Sequence, residues 1–555
     1  MQRDEFGNPI VPLGLTRRGL LVNGGVLGLG TMGLGAFLTA CGSSSEPGNE
    51  EMDAVREGGT LTFGIDGTNG VADPALYTTL GDWMAVDSIS AGLVAFDFTT
   101  GERQWALAQD SSVSDDGLVV SVKLREGVLA HDGTTLSSTD VVRTFNRQLV
   151  DGDPTLPQTS TRPMRGSLNR NVAEVRAVDD LTVEFQLLAP DAVFLSRLGD
   201  ISCRIVSAAA LDASGADIGQ QLVGHGAYKV VELVPQQSIT LEAFADYFGG
   251  APALDRLVLQ QIADSSSLNA GLQSGQVNAS SFVAHSSADS LGQNPNVTIE
   301  DSLRSVDVFV MMNVTTPVLS DLRVRQAVNL AINREEIVEK AFYGYADVPD
   351  GYALPKNRIG YDASLADLSE FDEARAKALV EEAGATGAAV SLIAQNNNWY
   401  PLAAQIIEAN LKAIGLVPNV ELLDPGSFSG RFFDLEGHEL ALWERNGYVP
   451  DADDMVGKML ASTGSYANRG TGHATLDPAV VAQVDTLLND ARQTTDDAER
   501  TDLYSQAQRL FAEQFMAMAM VACAQNVVAS NGCQDIGTPA LSAQRMQMEK
   551  AALTA

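Results

Sequence analysis

Several short stretches of the chain alternate apolar and polar residues, the period of a strand with one buried face. Thr60-Leu-Thr-Phe-Gly-Ile65, after Gly58-Gly59, reads as the first strand. Leu118, Val120, Val122 and Leu124 alternate with Val119, Ser121 and Lys123 after the turn Asp115-Asp116-Gly117. Leu181, Val183, Phe185 and Leu187 repeat the pattern after Asp179-Asp180. Ile201-Ser-Cys-Arg-Ile-Val206 reads as a buried strand. Further on the period lengthens to that of a helix. Val324, Val328, Ala331 and Ile332 share one face of a helix starting near Ser320-Asp321. Asn333 and Glu336 suit a capping box opening the next helix, which stops before Gly344. A third helix runs from Asp372 to Ala383 and is closed by Gly384. A fourth has Pro401 in its first turn and Gly415 past its end, with Leu402, Ile406, Ala409 and Ala413 as its inner stripe. The runs Val390–Ile393 and Val417–Leu423 flank these helices as strands. The second half therefore reads as a parallel or mixed α/β unit.

The first sixty residues fit neither pattern. Thr16-Arg17-Arg18-Gly19-Leu20-Leu21 precedes a glycine-rich apolar run that ends in Leu38-Thr39-Ala40-Cys41-Gly42. A basic start, an apolar middle and a small-residue cleavage site make a secretory signal. The arginine pair resembles a twin-arginine signal, with Sec export left open. Leu38-Thr39-Ala40-Cys41 resembles a bacterial lipobox, which implies lipid attachment at Cys41 and cleavage just before it. The polar run from Gly42 to Glu51 then serves as a tether. An uncleaved membrane anchor is the alternative, and either reading leaves the rest of the chain outside the cytoplasm. Gly28-Leu-Gly30-Thr-Met-Gly33 matches a nucleotide-binding spacing, but no strand precedes it.

At 555 residues the chain is long enough for two or three domains. It carries 71 acidic against 36 basic residues, a net charge of −35. That field repels nucleic acid and anionic lipid surfaces. The five histidines are scattered, and no Cys/His spacing suits a metal. Neither G-x-S-x-G nor H-E-x-x-H occurs. No metal, cofactor or catalytic group is expected. Cys523 and Cys533 are candidates for a disulfide in an oxidising compartment, which leaves Cys203 single.

Three segments carry a family resemblance. The first runs Leu107-Ala108, Ser114-Asp-Asp-Gly117, Lys123-Leu-Arg-Glu-Gly127, His131-Asp-Gly-Thr134 and Ser138-Thr-Asp-Val-Val142. The second is Val223-Gly-His-Gly-Ala-Tyr228, followed by Asp246-Tyr-Phe-Gly-Gly250 and Leu268 to Val277. The third joins Asn313, Asp321-Leu-Arg-Val-Arg-Gln-Ala327 and Ala331-Ile-Asn-Arg334. In this order they resemble the extracellular solute-binding proteins of oligopeptide, dipeptide and nickel importers, family 5. The chain departs from that pattern at His225, Ala227, Asn278 and Asn333.

The resemblance implies an α/β, two-lobed periplasmic-binding-protein-like fold (type II, cluster C) with an extra subdomain in lobe I. On this basis residues 1–40 are the signal, 41–57 the tether, 58–305 lobe I with a subdomain at about 86–195, 306–519 lobe II, and 520–555 the return to lobe I. The crossings are expected near Ile299–Val310 and Met516–Val528. It also implies a monomer, which the lipobox would anchor by lipid on the outer face of the membrane or in the periplasm. Its partners are a small solute, by family habit a peptide, and the permease and ATPase subunits of an ABC importer. Arg323, Arg325 and Arg334 are expected on helix surfaces or tying loops. The candidate ligand residues are Trp443, Asn446, Tyr448 and Asp451 in one loop, Trp399 and Tyr400 before a helix, and Trp83. Asn446 stands where family members that bind peptides often carry the acid that pairs with a ligand amine, with Glu444 close by. For Trp443 the competing reading is core packing. A secreted hydrolase, or a surface receptor that does not transport, are the other functions weighed.

Overall fold

The structure is a computed structural model that describes residues 55–554 apart from 78, 98–101, 151, 157–170, 302–305, 355, 357–359, 447–448, 450, 538–545 and 547. The predicted signal, Cys41 and the start of the tether lie outside the described residues.

Lobe I is built on a mixed seven-stranded sheet in the order Thr298–Asp301, Val527–Ser530, Ala279–Ser280, Thr60–Ile65, Arg256–Gln261, Ser238–Ala243 and Tyr228–Val234. Thr60–Ile65 is central and runs parallel to both neighbours. Leu61, Phe63 and Ile65 are buried. An antiparallel four-stranded sheet (Ala108–Val113, Val119–Leu124, Thr182–Leu187, Val172–Asp179) forms the extra subdomain. Its inner face carries Val120, Val122, Leu124, Val183, Phe185 and Leu187, the alternation read from sequence. Gly226 is required by close approach, because a Cβ there would sit 2.4 Å from the Ser88 carbonyl oxygen. The segment Ile201–Val206 is buried as expected but is not a strand. Asp200 accepts the Ser202 N–H at 2.8 Å and winds Ile201–Cys203 into a 3₁₀ turn.

Lobe II is built on a mixed six-stranded sheet in the order Ala346–Asp347, Met518–Ala524, Val306–Met312, Leu440–Asn446, Ala389–Gln395 and Val417–Leu423. Val306, Val308, Val310, Met312, Leu440 and Leu442 face one core, and Phe309, Met311, Ala441 and Trp443 face the other. The helices Leu322–Ala331 and Glu373–Glu382 start at Asp321 and Asp372, whose carboxylates accept backbone N–H groups of the first turn. Asn333 caps Arg334–Lys340 by accepting the Glu336 N–H. The second half of the expected capping box is absent: the Asn333 N–H goes to Asn410, and Glu336 pairs with Lys340. In Tyr400–Ala413 the buried stripe is Tyr400, Ala403, Ala404, Ile407 and Leu411 together with Ile406, while Ala409 and Ala413 are exposed. The stacked rings of Trp399 and Tyr400 anchor the first turn and set its rotation.

Arg325 and Arg334 are buried and tie neighbouring segments, the second of the two expectations, instead of lying on a helix surface. Arg325 donates to the carbonyls of Leu319, Ser320 and Phe515. Arg334 donates to the Met520 carbonyl at 2.7 Å and to the Asn329 side chain at 2.7 Å. Both staple helices to the Met518–Ala524 strand and its approach. Burial without a facing carboxylate lowers the Arg334 guanidinium to about 10. Arg334→Lys is expected to cost about 2–3 kcal/mol, because an ammonium cannot reproduce the guanidinium fork. Urea melts of the two proteins that superimpose would contradict this.

The chain passes between the sheets twice, after Asp301 and again at Gln525–Asn526. Met518–Ala524 pairs within the lobe II sheet along its whole length, so the return comes later than the expected boundary at 520. Cys523 sits in that sheet, and Cys533 lies in a small sheet of lobe I. Both are buried thiols, as is Cys203, and no disulfide joins them.

Candidate functional site

Parallel strands present their carboxyl ends on one side, and in open α/β sheets ligands collect there. In lobe I the central strand ends at Ile65 and delivers Asp66 into such a position. The loop that follows is held by one buried carboxylate. Asp82 accepts the Thr68 hydroxyl at 2.7 Å and the N–H groups of Asn69 and Val71. Asp82 belongs to the helix Leu80–Ile89, so the loop is tied to a rigid element. Asp66 itself is open to water. Even so, it lies deep enough between the lobes that lost hydration raises its carboxyl to about 6, against the pull of its own N–H and that of Gly67.

In lobe II the corresponding ends are those of Ala389–Gln395 and Leu440–Asn446, which run parallel. Glu444 stands near the end of the second and is half-buried. Its carboxyl is raised to about 7, first by burial and then by the negative charge of Asp66, while a hydrogen bond from Tyr400 works the other way. The charge of Asp66, on lobe I, is thus felt at Glu444 on lobe II. Two like charges at one site resist ionising together. A cation placed between them relieves that repulsion. By charge, such a pair suits an ammonium or guanidinium of a small ligand.

The seam between the lobes has an aromatic flank. Trp399 stacks on Tyr400 with ring centres 3.8 Å apart and lies 4.8 Å from Phe342. The Phe342 ring meets His285 of lobe I edge-on at 5.4 Å. His285 Nε2 lies 2.9 Å from the Gln525 carbonyl oxygen at the return crossing. Tyr345 donates to Asp289 at 3.0 Å, a second contact between the lobes at this end.

The sequence-derived candidates fall in different places. Trp399 and Tyr400 are buried in the lobe II core, and only Tyr400 reaches the carboxylate pair. Trp443 is half-buried in an aromatic cluster. Its ring stacks with Phe428 and Phe432 at 5.4 and 4.9 Å, and its N–H goes to the Tyr466 hydroxyl at 3.1 Å. Those contacts fit the packing alternative. Asp451 is buried and paired with Arg500 at 2.6 Å, so its carboxylate is committed within lobe II. Trp83 is buried in the lobe I core, and its indole N–H has no hydrogen-bond partner. Asn446 ends the strand that pairs with Val306–Met312; its side chain and all of Tyr448 lie outside the described residues. Asp66 and Asp82 were not singled out from sequence. The available signal was an acid directly after the first strand, at the start of a Gly-Thr-Asn-Gly loop.

Comparisons with known proteins agree with this fold. The profile of bacterial extracellular solute-binding proteins, family 5 Middle, matches residues 103–467. The glutathione-binding protein GsiB of Escherichia coli (strain K12) is 29% identical over 468 residues, spanning 80% of this chain and 86% of that protein. The fold is similar to that of the ABC transporter-associated periplasmic binding protein DppA from Helicobacter pylori in complex with the peptide STSA. The TM-score is 0.80 at 25% identity, over 90% of this chain and 99% of that one. A dipeptide-binding protein from Pseudoalteromonas sp. SM9913 in complex with Met-Leu aligns with a TM-score of 0.79 over 89% of this chain and 100% of that one; at 22% identity it shows the shared fold alone.

Proposed function

Because the chain belongs to the bacterial extracellular solute-binding proteins of family 5, non-enzymatic binding components of ABC importers that work outside the cytoplasm, we propose that its cleft captures a short peptide or a peptide-like solute such as glutathione. The observation that carries this reading is the electrostatic coupling of Asp66 and Glu444, one acid from each lobe, a pair that would favour a ligand amine. A ligand held by both lobes stabilises the closed form, and the importer then receives it. In this reading Asp66 and Glu444 take over from the family's loop acid, whose place here is filled by Asn446. Similarity to a glutathione-binding protein and to a peptide complex supports this size and charge class.

The test is calorimetric titration of the leaderless protein with glutathione and with di- to tetrapeptides at pH 8. Saturable 1:1 binding that is lost on N-acetylation of the ligand is the expected result. Binding that is indifferent to the amine, or confined to solutes without one, would remove the peptide reading. Lipid attachment at Cys41 is part of the same proposal. Cys41→Ser is expected to move the exported protein from the detergent phase to the aqueous phase in phase partitioning; an unchanged partition would refute the anchor.

A further inference from the structure

The two lobes also meet through a row of alternating charges, separate from the carboxylate pair. On lobe I, Asp191 and Arg197 lie beside the short helix Phe194–Arg197, next to the antiparallel subdomain, and pair with each other. On lobe II, Asp453 opens the π-helical turn Asp453–Gly457 and pairs with Arg492 at 2.5 Å. Arg197 then bridges the lobes, with Nη2 2.5 Å from the second oxygen of Asp453. The row reads Asp191, Arg197, Asp453, Arg492, with charges −, +, −, +. Only 3% of the Asp191 side chain and 8% of the Asp453 side chain remain exposed. Beside the row, the Ala192 N–H donates to the Arg492 carbonyl at 2.8 Å. That carbonyl is in the last turn of the helix Pro478–Gln493, where no N–H of its own helix is left to satisfy it. Lobe I therefore caps a helix of lobe II.

Each half is complete alone. Asp191 accepts the Val193 N–H and an amide hydrogen of Asn171, and so holds Arg197 in place. Arg492 is positioned by Asn489, and Asp453 by its N–H bond to Asp451. If the lobes separate, two neutral ion pairs are released to water, and neither side is left with an isolated charge. Such a contact can form and break repeatedly without stranding a buried charge. Burial works against the Asp453 charge, yet Arg197 and Arg492 together hold its carboxyl below the ordinary range. Gly457 is part of the arrangement: a Cβ there would lie 2.6 Å from Asp453 Oδ1 and 2.7 Å from Arg492 Nη2.

We infer that the Asp191–Arg197–Asp453–Arg492 row and the Ala192–Arg492 backbone bond form a clasp through which the inserted subdomain holds lobe II closed, independently of any ligand. The subdomain then has a role in the opening equilibrium as well as in packing. This goes beyond the capture reading and does not depend on what the cleft binds.

The test is a distance measurement on the ligand-free protein. Ser112 and Glu373 are exposed on the subdomain and on lobe II, and the thiols at Cys203, Cys523 and Cys533 are buried. Spin labels on Ser112→Cys and Glu373→Cys therefore report lobe separation by pulsed dipolar spectroscopy. The parent protein is expected to show a major short-distance population. Arg197→Gln is expected to raise the ratio of long to short distances about tenfold, as loss of one partly desolvated charge pair would. Gly457→Ala, which displaces the clasp from the other lobe without changing charge, is expected to move the distribution the same way and guards against misfolding of the first variant. Circular dichroism confirms the fold of each. A parent protein already wholly in the long-distance form, or folded variants with the parent's distribution, would overturn the inference.

Discussion

Glu444→Gln is expected to stabilise the ligand-free protein at pH 8 and to weaken ligand capture at the same pH. The Glu444 carboxyl is raised from an ordinary 4.5 to about 7 by burial and by Asp66. A carboxyl whose folded value exceeds its unfolded one binds more protons in the native state, so it lowers stability as pH rises between the two values. The penalty is fully present above about 7 and absent below about 4.5. Removing the charge should recover roughly 1–3 kcal/mol at pH 8, after allowance for the water that still reaches the group. At pH 4.5 the variant and the parent should melt together. Ligand capture is expected to move in the opposite sense. An amine needs both acids ionised, so its affinity should fall as pH drops from 8 towards 5, through the titration of Glu444 at about 7 and Asp66 at about 6. Melting curves at the two pH values, with calorimetry alongside, decide it. A variant less stable than the parent at pH 8 would show that the carboxylate is a net structural asset and not a strained binding group.

Arg147→Met is expected to produce the largest loss of stability among single changes considered. Arg147 and Asp73 are essentially inaccessible, with 1% and 0% of their side chains exposed. The guanidinium grips both Asp73 oxygens, at 2.8 and 2.6 Å, and also Thr155. Asp73 lies in the segment after the first strand, and Arg147 ends the subdomain helix Ser138–Leu149. The pair therefore ties the Asp66 loop region to the inserted subdomain. Removing the arginine strands a buried carboxylate, which costs about 3–5 kcal/mol. Denaturant melts should show that loss. The double change Arg147→Met with Asp73→Leu should recover much of it, because no unpaired charge remains. A double variant as unstable as Arg147→Met alone would place the cost in packing and not in charge.

Much of the scaffold could be read along the chain, because its causes are local. Alternation in Thr60–Ile65, Val119–Leu124 and Thr182–Leu187 follows directly from strands with one buried face. Asp321 and Asp372 announce helix starts by chemistry that needs no tertiary partner. What escaped was set by partners distant in sequence. The stripe of Tyr400–Ala413 turned on the stacking of Trp399 and Tyr400 against Phe342. Arg325 and Arg334 look like surface charges until the strand Met518–Ala524 and its approach supply carbonyls. The coupling of Asp66 and Glu444 arises from two lobes brought together, and neither residue has a local pattern that names the other. Asp451 reads along the chain as a candidate ligand acid, but Arg500, which takes its charge, comes from a helix that begins at Asp497.

The pairing of Val55–Arg56 with Ala552–Thr554 has a mechanical consequence. The two strands are antiparallel, with Val55 opposite Thr554 and Arg56 opposite Leu553. Tension applied at these two points would peel the ribbon one rung at a time, as a zipper opens, instead of shearing all its bonds at once. The next strand, Cys533–Gln534, shares the same small sheet, so the load would spread into lobe I. Tension at these two points would therefore load this small sheet before it reached the crossing at Gln525–Asn526.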